Sequence, residues 1–285
     1  MKEDKKFPKV SAIVLCIIFV SCFCSEWIMN HDPLYLNLDH IGEPPSAEFF
    51  FGTDTMGRDV FSMIWYGGKV SLLIGFFSAF LSFGIAILYG GISGFSSKWL
   101  DHFLMKVLDL GLSIPSILLV LFLQAVMSNH SILSITITIG LTSWFPMAKM
   151  IRTEVRQLRK ENYVLIAKQT GASFFYLLRV HFLPNVLPSI LFMIITNIGS
   201  AIASEATLSF LGIGLPIEQV SWGTMLSRGD QALLANEWWL IVIPGFFLIV
   251  VILCITAIGN YFREETITKC SNLSYQHNRK IRKKF

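Results

Sequence analysis

Charge is scarce in this 285-residue chain, where Asp, Glu, Lys and Arg together make up only 15% of the residues. Soluble globular domains carry about 25%. Here 53% of the residues are hydrophobic and the mean hydropathy is +0.60. A water-soluble globule of this length is excluded, and the chain reads as an integral membrane protein. Cysteine is sparse too. Cys16, Cys22, Cys24, Cys254 and Cys270 contain no C-x-x-C pair, so neither a zinc site nor a disulfide framework is indicated, and the thiols read as small apolar side chains.

Motifs of catalysis are also missing. There is no G-x-x-x-x-G-K-[ST]; "YGGKV" at 66–70 lacks the upstream glycine and the following hydroxyl. "GIGLPI" at 212–217 ends on Ile217 where a dinucleotide fold needs glycine, and it follows an apolar stretch where a strand is required. H-E-x-x-H and G-x-S-x-G do not occur, and the six histidines are scattered. No catalytic residue, metal ligand or cofactor of this chain's own is expected, and an enzyme is not indicated.

What the chain has in quantity is long apolar runs. A helix needs roughly 20 mostly apolar residues to cross a bilayer. Six stretches reach that length: 10–29, 70–95, 107–127, 131–150, 186–204 and 238–262. The first follows Lys2, Lys5, Lys6 and Lys9 like a secretory signal, but no small-x-small cleavage site follows it cleanly, and it ends at Trp27 as a span does. The expected fold is therefore all-α with six transmembrane helices.

Sidedness follows from the cations. With a cytoplasmic N-terminus, twenty of the 23 Lys and Arg residues lie inside and three outside, seven of them between 149 and 184 and seven after 262. This is the positive-inside bias, with both termini cytoplasmic. Glu26, Asp32, Asp39, Glu43, Glu48, Asp54 and Asp59 crowd the first outer loop.

Several positions stand out within this layout. Ser78, Ser82, Ala86, Gly90 and Gly94 recur every four residues in the second span, one face on which another backbone can approach closely. Pro115, Pro146 and Pro244 fall in or at the ends of spans, where they can kink a helix. Glu205 stands at the outer end of the fifth span; a carboxylate at that depth faces a water-filled pathway or a partner, or simply reaches the outer interface. Val60, Phe61, Ile64 and Trp65 predict a short interfacial helix, and Asp54, Arg58 and Asp59 can pair with one another or meet a partner.

The connection over 151–185 is the longest on the cytoplasmic side. Phe174, Leu177, Leu178 and Phe182 form one apolar stripe, with a turn at Gly171, an N-cap at Ser173 and a stop at Pro184. The resulting helical knuckle either folds back on the chain's own spans or fits a groove on another protein.

Ala167 and Gly171 in A-x-x-x-G spacing, followed by Leu183-Pro184, resemble the cytoplasmic loop signature of permease subunits in binding-protein-dependent ABC importers. The family's usual glutamate and leading alanine are Leu165 and Ile166 here. "FGTDTMGRDVFSMIWYGGKVSLLIG" (51–75), "EATLSFLGIGLP" (205–216), "SWGTMLSRG" and "WWLIVIPG" (221–245) look like the second, C-type permease of the dipeptide, oligopeptide and nickel group. The resemblance implies a type I importer permease fold whose knuckle, with Ala167, Gly171, Ala172, Ser173, Leu177, Leu178 and Pro184, is the coupling helix.

It further implies a heterodimer with a homologous permease, two ATPase subunits that use ATP and Mg²⁺, an extracytoplasmic solute-binding protein and surrounding lipid, with no nucleic acid. The expected division is a cytoplasmic N-terminus (1–9), a first transmembrane helix (10–29), an outer loop (30–69), the permease domain (70–262) and a basic cytoplasmic tail (263–285). Peptides are the expected cargo. The alternatives are nickel or an opine-type metal–metallophore chelate carried by the same machinery, and a stand-alone channel or secondary transporter.

Overall fold

The computed structural model describes residues 7–127, 131–161, 164, 166, 171, 176, 183–216, 218–232 and 236–282, with the backbone alone for 183–188, 230, 231 and 264–282. Among the described residues the regular structure is helical, apart from one isolated bridge between Thr53 and Asp59. The elements are α1 (Lys9–Phe23), α2 (Ser25–Ile28), α3 (Val60–Phe95), α4 (Lys98–Ser113), α5 (Ser116–Val126), α6 (Ile132–Thr142), α7 (Phe145–Leu158), α8 (Leu183–Phe210), α9 (Trp222–Ala232) and α10 (Trp239–Arg282).

Three unbroken helices are long and apolar enough to cross a membrane: Val60–Phe95, Ser189–Phe210 and Trp239–Arg263. Two more spans result if each bent pair is one crossing, α4 with α5 at 87° and α6 with α7 at 42°. At 15 residues, α1 is an apolar helix below that length. All six expected stretches fall on helices, but among the described residues at most five pass as spans by length and composition. The 87° break has a local cause. Pro115 has no N–H to donate, and it holds Ile114 before it in an extended conformation (φ −91°, ψ 128°), so α4 ends at Ser113. Pro146 instead sits in the first turn of α7, where its missing N–H is harmless. Pro244 lies inside α10 without ending it.

The long helix α3 is the spine, packed against α6 and α7 on one side and α8 on another, with α1, α2 and α9 around its first turns. It starts sharply. Asp59 caps it by accepting from the Ser62 N–H at 3.0 Å, and Ser62 Oγ in turn accepts from the Asn30 and His31 N–H groups at 3.2 Å, tying the outer loop to the helix.

The short interfacial helix expected at 60–65 is therefore not separate: it is the first turns of α3, with Val60 and Ile64 fully buried. Gly67 and Gly68 do not break the helix. A Cβ on Gly67 would lie 3.0 Å from Val220, and one on Gly68 would lie 2.6 Å from the Trp222 ring, so these glycines admit the chain before α9. Beside them, Asp54 and Arg58 pair with each other inside a tight turn, and Arg228 of α9 reaches Asp54 at 3.4 Å.

Candidate functional site

The face most marked by sequence is the connection from α7 to α8. Gly171 has φ +84°, the left-handed region that favours glycine, and a Cβ there would meet no atom within 4 Å. Pro184 falls in the first turn of α8, where its fixed φ suits a helix start. Ala167, Ala172, Ser173, Leu177 and Leu178 lie outside the described residues. The knuckle itself is thus not described, but its two supports, α7 and α8, are.

The four-residue stripe is the rail along which α6 and α7 are mounted on α3. Ser78 Oγ donates to the Thr136 carbonyl at 3.0 Å and Ser82 Oγ to the Gly140 carbonyl at 2.8 Å, both on α6. Further along, Ala86 is fully buried in a cluster with Met147, Ala148 and Ile151 of α7. A Cβ on Gly90 would stand 2.6 Å from the Ala148 carbonyl oxygen, and one on Gly94 would stand 2.6 Å from Val155 Cγ1. All five small residues therefore serve contacts within the chain. Small side chains allow this approach in a membrane, where apolar burial alone gives helices little reason to associate.

Glu205 is fully buried, neither facing an open path nor reaching an interface. Its Oε1 accepts from Ser209 Oγ at 2.9 Å and Ser221 Oγ at 2.7 Å, and its Oε2 accepts from Ser71 Oγ at 3.0 Å. Ser71 and Ser221 come from α3 and the start of α9, so one carboxylate joins three elements. Ser221 and Thr224 also exchange bonds across the first turn of α9, Thr224 N–H to Ser221 Oγ at 3.1 Å and Ser221 N–H to Thr224 Oγ1 at 2.8 Å. Glu205 therefore acts on a capped helix N-terminus, where a negative charge is favoured. The cost of burying Glu205 is offset by these hydroxyl donors inside the chain.

A second cluster escaped the sequence reading. Asp101, in the first turn of α4, accepts from Arg152 Nε at 2.9 Å and Ser93 Oγ at 2.8 Å, and pairs with Arg156 at 2.9 Å. The detectable signal was the four-residue spacing of Arg152 and Arg156, which sets both on one face of α7. At the end of α7, Arg159 donates to the Gly94 carbonyl at 2.8 Å and lies 5.7 Å from the centre of the Phe95 ring. Between α9 and α10, burial, helped by the Asp54 charge, pushes the Glu237 carboxyl above its ordinary range. Among the described residues no group of three or more His, Cys, Asp or Glu could hold a metal ion.

The family model described as binding-protein-dependent transport system inner membrane component matches residues 71–266. The dipeptide transport system permease protein DppC of Bacillus subtilis (strain 168) is 31% identical over 258 residues, covering 90% of this chain and 80% of the relative. The oligopeptide transport system permease protein OppC of the same organism is 35% identical, covering 90% and 82%. A putative peptide transport system permease protein of Brucella suis biovar 1 (strain 1330) is 36% identical, covering 90% and 86%. The helical frame and these matches agree, and the chain belongs to the inner-membrane permease components of binding-protein-dependent ABC importers.

Proposed function

We propose that this chain forms half of the translocation pathway of an ATP-driven importer of peptides, and that the segment between α7 and α8 couples it to a separate ATPase. The observation that carries the reading is the alignment of dipeptide and oligopeptide transport permeases over 90% of the chain. The crowding of Lys and Arg between 149 and 184 supports a cytoplasmic position for that segment, with both termini on the same side.

A homologous permease supplies the other half of the pathway, and an extracytoplasmic solute-binding protein delivers the cargo. ATP and Mg²⁺ are used by the partner ATPase pair, and this chain contributes no catalysis. Closure of the ATPases draws the two coupling helices together and turns the pathway from inward- to outward-facing. In this chain the movement enters through α7 and α8 and is carried by α3, the helix that both of them touch.

The test is purification of the tagged chain in mild detergent with mass spectrometry of its companions, then uptake by reconstituted vesicles. A second permease, a P-loop ATPase and ATP-dependent uptake of labelled peptide are the expected result. ATP-dependent uptake of nickel or an opine-type nickel chelate in place of peptide replaces the cargo and leaves the machinery standing. A chain recovered alone or as a homo-oligomer, with ATP-independent flux, overturns the reading in favour of a channel or secondary transporter. Within the assembled complex, Gly171→Arg or Leu177→Arg is expected to leave ATP hydrolysis running while uptake fails; full uptake in both variants argues against the coupling assignment.

A further inference from the structure

The cytoplasm-proximal half of α7 carries arginines at 152, 156 and 159, and all three grip the same corner, where α3 ends and α4 begins. Asp101 is the centre of that grip. It is 4% exposed, while the Arg152 and Arg156 side chains that hold it are 24% and 29% exposed. Arg152 engages both carboxylate oxygens, which fixes direction as well as distance. Arg159 adds its bond to the Gly94 carbonyl, and Gly90 and Gly94 remove the play between α3 and α7 beneath the cluster.

Among the described residues, the other attachments of α4 to α3 and α7 include buried Leu108, Gly111 packed close under the Phe145 ring, the Tyr89 hydroxyl donating to the Leu104 carbonyl at 2.8 Å, and an exposed pair between Lys149 and Asp109. Exposed pairs of that kind hold weakly. The firm electrostatic link between α4 and the helix that enters the coupling segment is therefore Asp101.

We propose that Asp101 is a positioning residue for transport, passing displacement of the segment between α7 and α8 through Arg152 and Arg156 to α4 and so to the bent α4–α5 pair. The inference rests on the reading that an ATPase drives this segment. Its physical basis is the asymmetry of the cluster. With Asp101 present, the two guanidinium groups share one carboxylate and pull α4 along with α7. Without it, two like charges face each other in a half-buried site, and the helices lose the link that makes them move together.

A merely structural bolt predicts something different, and the ratio of cargo imported to ATP hydrolysed separates the two. That ratio is to be measured for the complete reconstituted complex with wild-type chain, Asp101→Asn, and the exchange of Asp101→Arg with Arg152→Asp. The expected result is that Asp101→Asn assembles and hydrolyses ATP but imports about tenfold less per ATP, the scale of coupling lost when one link in a contact chain is removed. The exchange is expected to recover part of the ratio.

An unchanged ratio overturns the inference, as does a parallel fall of hydrolysis and uptake in proportion to assembled complex. If Asp101→Asn does not assemble, Arg152→Lys decides instead. It keeps the charge and loses the fork, so a reduced ratio supports transmission and a wild-type ratio refutes it. Absence of ATP-driven uptake in the wild-type complex removes the underlying importer reading, a failure distinguishable from any ratio change among variants.

Discussion

Glu205, where α8 meets α9, and Asp101, where α4 meets α7, are both buried carboxylates, yet one is enclosed by hydroxyls alone and the other by two guanidinium groups beside a single serine hydroxyl. The short serines around Glu205 hold α3, α8 and α9 at hydrogen-bond distance, and Gly67, Gly68 and Gly223 close the remaining space. Nothing there can shift by an ångström without losing a bond. The arginine arms around Asp101 are long and partly solvated, so they can follow a displacement of α7 while keeping hold of the carboxylate. The same charge is thus used once as a weld and once as a joint, and the difference lies in the length of its partners.

The comparison breaks most visibly at the weld. Glu205→Ala strands three buried hydroxyls and is expected to destabilise the complex by about 2–4 kcal/mol, read as a lower thermal midpoint in detergent. Glu205→Gln, which keeps one acceptor oxygen, should lose less than half as much. An alanine variant as stable as wild type would show that the hydroxyls do not depend on the carboxylate.

Overpacking the α3–α7 contact sharpens the comparison from the other direction. Gly90→Val drives a side chain into the Ala148 carbonyl and should cost about 1–3 kcal/mol, whereas Gly84→Val, where a Cβ would meet nothing within 4 Å, should stay within about 0.5 kcal/mol of wild type. Equal midpoints for the two variants would mean that α3 does not approach α7 as described.

The smallest effect belongs to the exposed outer loop, where a charged pair has neither kind of enclosure. His40 Nδ1 lies 2.8 Å from Glu43 Oε1, and that hydrogen bond, with nearby carboxylates, raises the imidazole above its ordinary value. A raised histidine stabilises the folded state below the unfolded-state value and ceases to do so as pH climbs through the folded-state value. His40→Gln should therefore lower the thermal midpoint slightly at pH 5.5 and not at pH 8. A difference that grew with pH would reverse the assigned sign.

Spans and the small-residue stripe were legible because both are local patterns: hydropathy over 20 residues and a repeat of four. Partners across the fold were not. Nothing in "EATLSF" specifies that Glu205 will meet Ser71, 134 positions earlier; depth alone says that the charge needs partners, not which. The need for glycine at 67 and 68 was unreadable for a related reason, since it comes from Val220 and Trp222, which are remote in sequence. Asp101 went unread because "LDHFLMKVLDL" looks like any amphipathic turn until α7 lies across it. The coupling residues were found through resemblance, and of them the structure describes Gly171 and Pro184.

The right-angle break at Pro115 also has a mechanical meaning. Between Asp101 and Ser113 α4 is a stiff rod of twelve further residues, roughly 18 Å at 1.5 Å per residue. If the proposed coupling holds, a tilt of about 10° about Asp101 carries the corner at Ser113 through roughly 3 Å, about half a helical turn along an axis. Because α5 leaves that corner at 87°, a tilt in the plane of the two helices reaches α5 as a push along its own axis, so that under the proposed coupling a rotation of one helix becomes a stroke of the next.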